Sequence, residues 1–386
     1  VWQEPNYGVY MVTGYDEALA VYHDHEHFSS VNSVSGPFPG FPVPTDGYDD
    51  IAELIEQHRD ELPFTDQLPS FDPPRHTQHR GLLMRLLTPR RLADNERAMV
   101  GIADGLIAPL VAGGGCEWVG DYCGPMAMLV IADLLGVPED DRGRFREQLA
   151  KPATSGHAGV EHSPLQFLYD TFQAFIEDRR ANPRDDMLTR IAEARFPDDT
   201  LPSGNDVMLL ASNLFAAGQE TTVRLLAYSL QKIAEDPATQ QLLRDEPDRI
   251  TNFIEECLRF ESPIKGDFRL AKRATEVGGV AIPTGAVVMV INGAANRDPR
   301  KYEAPDEFRI DRANAREHVA FGHGVHFCLG AALARAEGRI TIERILEHTR
   351  EIRISDEHHG PADARKFRYV PTYMLRGLSA LHLELA

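Results

Sequence analysis

The strongest chemical signal in the sequence is the segment Phe321-Gly-His-Gly-Val-His-Phe-Cys328-Leu-Gly330. Its three glycines permit backbone conformations and close approaches that a Cβ atom would prevent, and a flat cofactor lying against the loop would need that room. A helix over Leu329–Ile345 is predicted to begin directly after the cysteine. The N–H groups and the positive dipole end at the start of a helix favour a thiolate, so this position predicts that Cys328 is ionised.

Three other interpretations of this segment are weaker. A zinc site built on His323, His326 and Cys328 needs a fourth ligand and usually a C-x2-4-C spacing, and neither is apparent nearby. The Gly-x-Gly pair resembles a dinucleotide fingerprint only weakly, because it follows no strand of a βαβ unit. A cysteine that is simply buried is common, and this is our interpretation of the other three, Cys116, Cys123 and Cys257.

Polar residues recur at helical spacing in three further places. Glu256 and Arg259 share one helix face and can pair, although such pairs are usually solvated. Glu220 and Thr221 lie inside a long apolar segment, where polar side chains are costly without a partner or a function. The structural alternative there is a threonine bonded back to its own helix and a glutamate paired elsewhere. The third pattern is His76-Thr-Gln-His-Arg80, an H-x-x-x-R pair on one helix face.

These motifs together resemble the cytochrome P450 family. The pattern Phe-Gly-x-Gly-x-His-x-Cys-x-Gly is similar to that family's heme-binding loop, and the other motifs follow in the family's order. The resemblance covers nearly the whole chain. It implies a cytochrome P450 fold, heme b (iron protoporphyrin IX) as the cofactor, and Cys328 as the thiolate ligand of its iron. A thiolate ligand favours O–O bond cleavage.

The resemblance also implies roles for the remaining motif residues. Glu220 and Thr221 would lie over the distal face of the heme and relay protons for O–O cleavage, while Gly218 and Thr221 would open the helix to O2 and water. The heme propionates would be bound by four residues, His76, Arg80, Arg269 and His326. A buried network would brace the cysteine loop without taking part in the chemistry, and it consists of Glu256, Arg259 and Arg312.

Substrate contacts are the least determined part of the sequence. By resemblance, the specificity segments are residues 28–70, 156–199 and 263–268 and a C-terminal loop at 372–375. The residues predicted to line an apolar pocket are Phe41, Val43, Phe64, Leu68, Ala217, Lys265, Phe268, Met374 and Leu375. Each apolar one could equally be ordinary core. Lys265 could meet an anionic group of the substrate, and Asp267 could neutralise it.

A mainly α-helical fold with minor β structure is predicted to position these residues. Helical patterns occur at residues 8–22 (after a short strand), 49–60, 75–87, 202–237, 247–260 and 329–348. The interval 202–237 holds no internal proline and is apolar nearly all round, which predicts a long buried helix. Short strands are predicted at RLAKR, VAI and AVVMVI. Without a Gly/Ser linker or repeat, residues 1–386 are predicted to form a single large helical domain with small β-sheets.

Charge and cysteine usage restrict the partners. The formal net charge of −19 argues against nucleic acid, since a polyanion would be repelled. No run approaches the ~20 apolar residues of a membrane span, and four scattered cysteines fit a reducing cytoplasm. Residues 73–92 nevertheless hold five arginines and no acid. With Arg80 assigned to heme, the others are predicted to dock an acidic ferredoxin: Arg75, Arg85, Arg90 and Arg91.

The predicted activity is insertion of one oxygen atom from O2 into a small apolar organic substrate. No stretch is spare for a flavin or nicotinamide domain, so electrons are expected from a separate ferredoxin and an NAD(P)H-dependent ferredoxin reductase. One alternative is an H2O2-dependent peroxygenase, which would not need the acid–threonine pair. Another is a non-enzymatic heme-thiolate sensor or carrier, which would have no use for a proton relay.

Overall fold

The computed structural model describes residues 1–84, 87–150, 154–156 and 159–386. Helices dominate these residues, with short strands between them, which confirms the prediction of a mainly α fold with minor β structure. The helices are α1 (Tyr15–His23), α2 (Ala52–Gln57), α3 (Arg75–Met84), α4 (Pro89–Ala112), α5 (Gly124–Leu135), α6 (Glu139–Ala150), α7 (Pro164–Ala181), α8 (Met187–Ala192), α9 (Gly204–Glu235), α10 (Pro237–Asp245), α11 (Arg249–Phe260), α12 (Asn292–Ala295), α13 (Ala331–His348) and α14 (Asp356–His359). Within the described ranges, no helix combines the length and apolar character that a membrane crossing requires.

Among the described residues, the strands form four small sheets. They are β1 (Trp2–Gln3), β2 (Tyr10–Val12), β3 (Phe28–Ser29), β4 (Gly115–Glu117), β5 (Thr154–Gly156), β6 (Gly159–His162), β7 (Asp267–Ala271), β8 (Thr275–Val277), β9 (Val280–Ile282), β10 (Val287–Val290), β11 (Ile352–Ile354) and β12 (His382–Leu385). The largest sheet has the order β1-β2-β10-β7-β3 and is antiparallel except for the parallel β2–β10 pair. The others are β11-β12-β4 and the hairpins β5-β6 and β8-β9.

Contacts divide the chain into two compact units, and each is assembled from segments that are distant in sequence. The first unit comprises Val1–Thr77, Thr251–Ala331 and Pro371–Arg376, and the second comprises Gln78–Ile250, Ala332–Val370 and Gly377–Ala386. The prediction of one domain over residues 1–386 stays a prediction.

The first unit is built on the five-stranded sheet. Apolar side chains of α1, among them Ala18 and Val21, are buried in one cluster with Val288 and Val290 of β10 and with Val319, which precedes the cysteine loop. Burying each of these valines stabilises the unit by about 1.5–3 kcal/mol. The sheet and α1 therefore form the base on which the cysteine loop is held.

The second unit is a helical assembly around α9. This helix begins with a capping box, in which the Asp206 N–H donates to Ser203 Oγ at 3.0 Å and the Ser203 N–H donates to the Asp206 carboxylate at 3.2 Å. Asp236 ends it and caps the next helix, where Pro237 occupies the first turn. Phe215 of α9 lies among the buried rings of Phe145 and Phe172. The predicted long buried helix at 202–237 is thus present, with its capping residues at both ends.

Several element boundaries differ from the sequence prediction. The helix predicted at 75–87 ends at Met84 within the described residues, and α4 begins only at Pro89, where the Thr88 hydroxyl accepts the Arg91 N–H. The arginine run therefore does not lie on one continuous helix. The last long helix begins at Ala331 rather than at Leu329, because residues 329–330 form a turn. The VAI strand pairs with the unpredicted β8 through Gly278 and Gly279, both with positive φ.

Candidate active site

The cysteine loop spans residues 321–330, between a 3-10 turn at Ala315–Glu317 and α13. The Cys328 N–H donates to the Phe321 carbonyl at 2.9 Å, which folds the loop back on itself. Gly322 and Gly324 have φ of 65° and 67°, in the left-handed region that side chains rarely adopt. A Cβ on Gly324 would lie 2.4 Å from the Tyr22 carbonyl oxygen, so the loop can pack on α1 only with glycine there.

The face of this loop is open. Residues 321–330 are all at least partly exposed, including Cys328, whereas Val319 and Ala331 on either side are buried. Phe327 is 39% exposed, so its ring forms part of the accessible apolar surface of the loop. All four cysteines lie in the described chain and none forms a disulfide. The loop thus presents a thiol and apolar surface to whatever lies against it.

Imidazole and guanidinium groups stand beside the loop in the same unit. The ring of His76 lies 4.0 Å from the ring of His326, and His326 Nε2 is 3.1 Å from the Ser30 hydroxyl. Arg269 is buried, with its guanidinium 5.5 Å from the ring of Tyr22, the residue whose backbone contacts Gly324. Donors of this kind suit the carboxylates of a heme. Arg80, the fourth predicted propionate partner, belongs to the second unit and is half-buried.

Heme fits these residues. An exposed apolar loop face with a cysteine suits a flat apolar macrocycle, and the Arg269 guanidinium and the two neighbouring imidazoles can donate hydrogen bonds to its carboxylates. Gly324 keeps a side chain out of the place where the loop backbone approaches Tyr22. His76, Arg269, His326 and Cys328 are the residues of the first unit that would hold the cofactor.

The buried acid–base network predicted from Glu256, Arg259 and Arg312 is present. Arg259 forms a bidentate pair with Glu256 at 2.7 and 2.8 Å, and Arg312 Nε donates to the same carboxylate at 3.1 Å. All three side chains are nearly inaccessible to solvent. The two guanidinium groups also donate to the carbonyls of residues 296, 303, 304, 305 and 307. The network therefore fastens the irregular stretch before the cysteine loop to α11.

The middle of α9 is more open than its two ends. Ala217 and Glu220 are exposed, and Thr221 is half-buried, between fully buried turns. The Thr221 hydroxyl donates to the Ala217 carbonyl at 2.7 Å, and Arg224 approaches the Glu220 carboxylate at 3.4 Å. These contacts match the structural alternative from the sequence analysis, in which the threonine bonds back to its own helix and the glutamate is paired. Gly218 faces Ile131 of α5, where a Cβ would lie 3.3 Å from Ile131 Cδ1.

The residues predicted to line a pocket fall into different clusters. Phe268 is fully buried, packs with Met374 and stacks on Tyr373 at 5.8 Å. Phe41 instead packs with Val31, Ile55 and Leu270 in a separate core cluster.

The other predicted lining residues lie outside these two clusters. Phe64 is 45% exposed and has a φ of 62°, and Leu375 forms a bridge to Ile264. Val43 and Leu68 are half-buried, while Ala217 lies in the second unit. The structure brings only part of the predicted lining together.

Lys265 has a different partner from the one considered in the sequence. Its ammonium pairs with Glu261 at 2.8 Å, and Glu261 also pairs with Arg376 at 2.8 Å. Asp267 instead accepts a hydrogen bond from the Tyr22 hydroxyl, because it belongs to β7 beside α1. Burial lowers the pKa of Lys265, although Glu261 counteracts the effect.

The predicted docking arginines differ in their surroundings. Arg75 is exposed, with its guanidinium 4.0 Å from the ring of Phe71, and Arg90 is also exposed. Arg91 is less available for docking a partner, because its guanidinium donates to the carbonyls of Asp133 and Leu134 at the end of α5. Arg85 lies outside the described residues.

Several contacts in these units were not predicted from the sequence, and three of them involve predicted site residues. Ser30 meets His326, Tyr22 connects Arg269 to the loop, and Arg224 pairs with Glu220. Only the last has a local signal, since a glutamate and an arginine four residues apart share a helix face. The other two join residues more than 200 positions apart, and no local pattern could reveal them.

A mainly helical fold with a glycine-framed, partly exposed cysteine and a buried Glu–Arg–Arg network is the architecture of a heme-thiolate enzyme. A sequence profile described as cytochrome P450 matches residues 145–350. Cytochrome P450 144 of Mycobacterium tuberculosis is 36% identical over 303 residues, which cover 76% of this chain and 68% of that protein. Vitamin D(3) 25-hydroxylase of Pseudonocardia autotrophica is 33% identical over 331 residues, covering 85% of this chain and 80% of the relative.

The fold is similar to that of a solved structure. Cytochrome P450 CYP150A6 of Mycobacterium marinum, in its substrate-free form, superposes with a TM-score of 0.94 and 49% sequence identity, covering 100% of this chain and 92% of that one. The chain belongs to the cytochrome P450 family. It is a monooxygenase of the family that binds heme b through a cysteine thiolate, uses O2 and redox partners, and acts on organic substrates.

Proposed function

We propose that this enzyme hydroxylates a small apolar organic substrate with electrons from a separate ferredoxin, which an NAD(P)H-dependent ferredoxin reductase would reduce. The reaction is RH + O2 + two electrons + two protons → ROH + H2O. The observation that carries the proposal is the open, glycine-framed face around Cys328. A cytoplasmic location is part of the same proposal, because none of the four cysteines, all within the described chain, forms a disulfide.

Cys328 is proposed as the axial ligand. When bound through a thiolate, heme supplies O2 binding and O–O bond cleavage. The residues of the chain orient it: His76, Arg269 and His326 would meet its carboxylates, with Arg80 as a further partner. The network around Glu256 holds the backbone leading to the loop, so the position of the thiolate is set by the fold rather than by the ligand alone.

Glu220 and Thr221 are proposed to move protons during the reaction. A hydroxyl can hold an ordered water, and a carboxylate can exchange protons with solvent. Glu220 is 63% exposed at its side chain, which gives it that access. Neighbouring residues on a helix point about 100° apart, so the two need not touch each other. For either group to act, its present hydrogen bond along α9 must open.

An H2O2-dependent peroxygenase is the second candidate. It is favoured by one observation, namely that both polar groups at the centre of α9 already have partners within that helix. The sensor or carrier alternative is not retained, because the chain is an enzyme of its family.

Two measurements test the proposal. Cys328→Ser should lose the reduced-CO absorption band that marks thiolate-ligated heme, and a retained band would refute the ligand assignment. Product formation should require NADH, reductase and ferredoxin, whereas activity with H2O2 alone at the same rate would favour the peroxygenase. A screen for the substrate-induced spin shift should begin with sterol-like compounds, because one relative is named as a vitamin D(3) hydroxylase.

A further inference from the structure

A second buried acid, Glu255, lies beside the network acid Glu256 on α11. Its carboxylate accepts from His318 Nε2 at 3.1 Å, and both side chains are almost completely buried. Neighbouring positions on a helix differ by about 100°, so the two acids serve different partners. Glu256 accepts hydrogen bonds from the two arginines, while Glu255 accepts one from the histidine three residues before the cysteine loop.

The partners of His318 determine its tautomer. A carboxylate can only accept a hydrogen bond, so His318 Nε2 must carry a hydrogen. The backbone N–H of Ala320 donates to His318 Nδ1 at 3.2 Å, so that nitrogen must present its lone pair. A ring protonated on both nitrogens would place two N–H groups against each other in a buried position.

His318 is linked through the backbone to the cysteine. Ala320 is followed by Phe321, whose carbonyl accepts the N–H of Cys328 at 2.9 Å. The ring of His318 also lies 5.6 Å from the ring of Phe321. The neighbouring Val319 N–H is held by Asn296 at 2.7 Å, so the segment has few remaining degrees of freedom.

We propose that His318 is a positioning residue, held in its Nε2–H tautomer by Glu255, which fixes the Ala320–Phe321 backbone and thereby the cysteine that binds the heme iron. The inference rests on the proposed role of Cys328. It assigns to Glu255 and His318 a second brace of the loop, which does not use the Glu256 carboxylate.

Side-chain replacements separate the two hydrogen bonds of the ring. In His318→Asn the amide oxygen can replace Nδ1 as acceptor for the Ala320 N–H. In His318→Gln the amide nitrogen can replace the donor to Glu255 but leaves the Ala320 N–H unsatisfied, and His318→Phe removes both bonds. His359→Gln is a matched control, because His359 is also buried and hydrogen-bonded at both nitrogens, by Lys366 and His382 in the second unit.

The measurement is the reduced-CO spectrum of the heme-loaded protein over a urea series, below the unfolding transition followed by circular dichroism. We expect the ratio of thiolate-free to thiolate-ligated heme to rise roughly tenfold in His318→Gln and His318→Phe, equivalent to about 1.4 kcal/mol. His318→Asn should remain close to the wild type. The His359→Gln control should lower the unfolding midpoint without changing this ratio. If the Gln and Phe variants behave like this control, His318 only adds stability and the proposal is wrong.

A second measurement does not depend on the variants folding. In the diamagnetic reduced CO-bound wild type, ¹⁵N NMR of labelled histidine should show His318 as the Nε2–H tautomer at neutral pH. The Nδ1–H tautomer or an imidazolium would overturn the proposal. Cys328→Ser tests the ligand assignment separately from the role of His318. A thiolate-type band that persists in Cys328→Ser refutes the ligand assignment, while the NMR measurement determines the tautomer of His318 independently.

Discussion

Thr221 and Glu220 are neighbours on α9, and each is hydrogen-bonded along the helix. The Thr221 hydroxyl donates to Ala217, and Glu220 pairs with Arg224. The pair joins an exposed carboxylate to a buried guanidinium at 3.4 Å, since the Glu220 side chain is 63% exposed and the Arg224 side chain is 7% exposed. The Glu220 carboxylate is accessible to water, whereas the Thr221 hydroxyl would have to release the Ala217 carbonyl before it could hold a water molecule.

Separate replacements should distinguish the roles of these two side chains. Thr221→Ala should still bind substrate and accept electrons but release more H2O2 per NADH consumed, since protons no longer reach the productive position. Glu220→Gln should instead slow the whole cycle, because the supply of protons is reduced. Product and peroxide per NADH oxidised are the measured quantities. Wild-type coupling and rate in both variants would mean that these residues serve only the helix.

Arg224→Lys tests whether the partner of Glu220 matters. The ammonium can still pair with the carboxylate, so we expect coupling to change less than in Glu220→Gln. A change as large as in Glu220→Gln would show that the guanidinium itself positions the acid.

At the scale of elements, α11 shows how burial changes the value of an ion pair. Glu256 and Arg259 are fully buried, and Arg312 adds a second cation to the same carboxylate. Arg249 and Glu246, near the start of the same helix, have the same spacing but are 41% and 51% exposed. Removing one partner of a buried pair leaves an uncompensated charge, whereas an exposed pair is screened by water.

Glu256→Gln should therefore lower the free energy of unfolding by about 3–5 kcal/mol and reduce heme retention. Glu246→Gln is the control and should change stability by about 0–1 kcal/mol. Urea unfolding of both heme-loaded proteins measures the difference. Equal effects of the two substitutions would contradict the bracing role of the network.

Helix α13 carries a buried acid of another kind. Glu337 is 2% exposed, and its Oε2 atom has no hydrogen-bond partner among the described residues. Burial raises the pKa of Glu337 well above its usual value of 4.5. The folded protein therefore keeps a proton on Glu337 over a pH range in which the unfolded chain has lost it.

This proton makes stability depend on pH with a definite sign. Below pH 4.5 the carboxyl is protonated in both states, and the stability associated with the neutral group is fully present. As the pH rises above 4.5, the unfolded state ionises first, so stability falls by up to about 1.4 kcal/mol per pH unit until the folded pKa is reached.

Glu337→Gln should remove this decline and be more stable than the wild type at pH 8. Glu343→Gln, on the same helix and paired with Arg339, is the control. A decline that persists in Glu337→Gln would show that another group causes it.

At the scale of the whole molecule, the net charge of −19 opposes the approach of an acidic electron donor. Local arginines must then overcome the general field. The described candidates are Arg75 and Arg90, both exposed, while Arg91 is engaged with the end of α5. Arg90 is thus the clearest single residue of the second unit at which to test docking.

Arg90→Glu should slow reduction by ferredoxin at low salt and leave substrate binding intact. The difference from the wild type should shrink as salt is added, since screening acts over about 10 Å at 0.1 M. Arg190→Glu is the control, because Arg190 is an exposed arginine of the same unit and its reversal changes the net charge equally. An equal loss of rate in both variants would mean that net charge alone determines the effect.

Local patterns predicted the glycine-framed cysteine loop, the Glu256–Arg259 pair and the long helix α9, but they did not predict α4 to α8 or α10. Glycine spacing in 321–330, the i,i+3 pair Glu256–Arg259 and the long apolar interval 202–237 all describe properties of short segments. Backbone freedom, helix periodicity and capping act within a few residues, so they can be recognised without knowledge of the rest of the chain. Sequence patterns were less reliable at boundaries, since residues 87, 329 and 330 lie outside the helices that were predicted to include them.

Only the tertiary structure decided which side chains meet. Lys265 pairs with Glu261 rather than Asp267, Arg91 binds the end of α5, and His318 joins Glu255 to the cysteine loop. The separation ranges from four residues for Glu261 and Lys265 to 296 residues for Ser30 and His326. The free energy of a buried polar contact depends on the geometry and desolvation of both partners. Periodicity within one segment records which face is buried, and it carries no information about which distant group that face will meet.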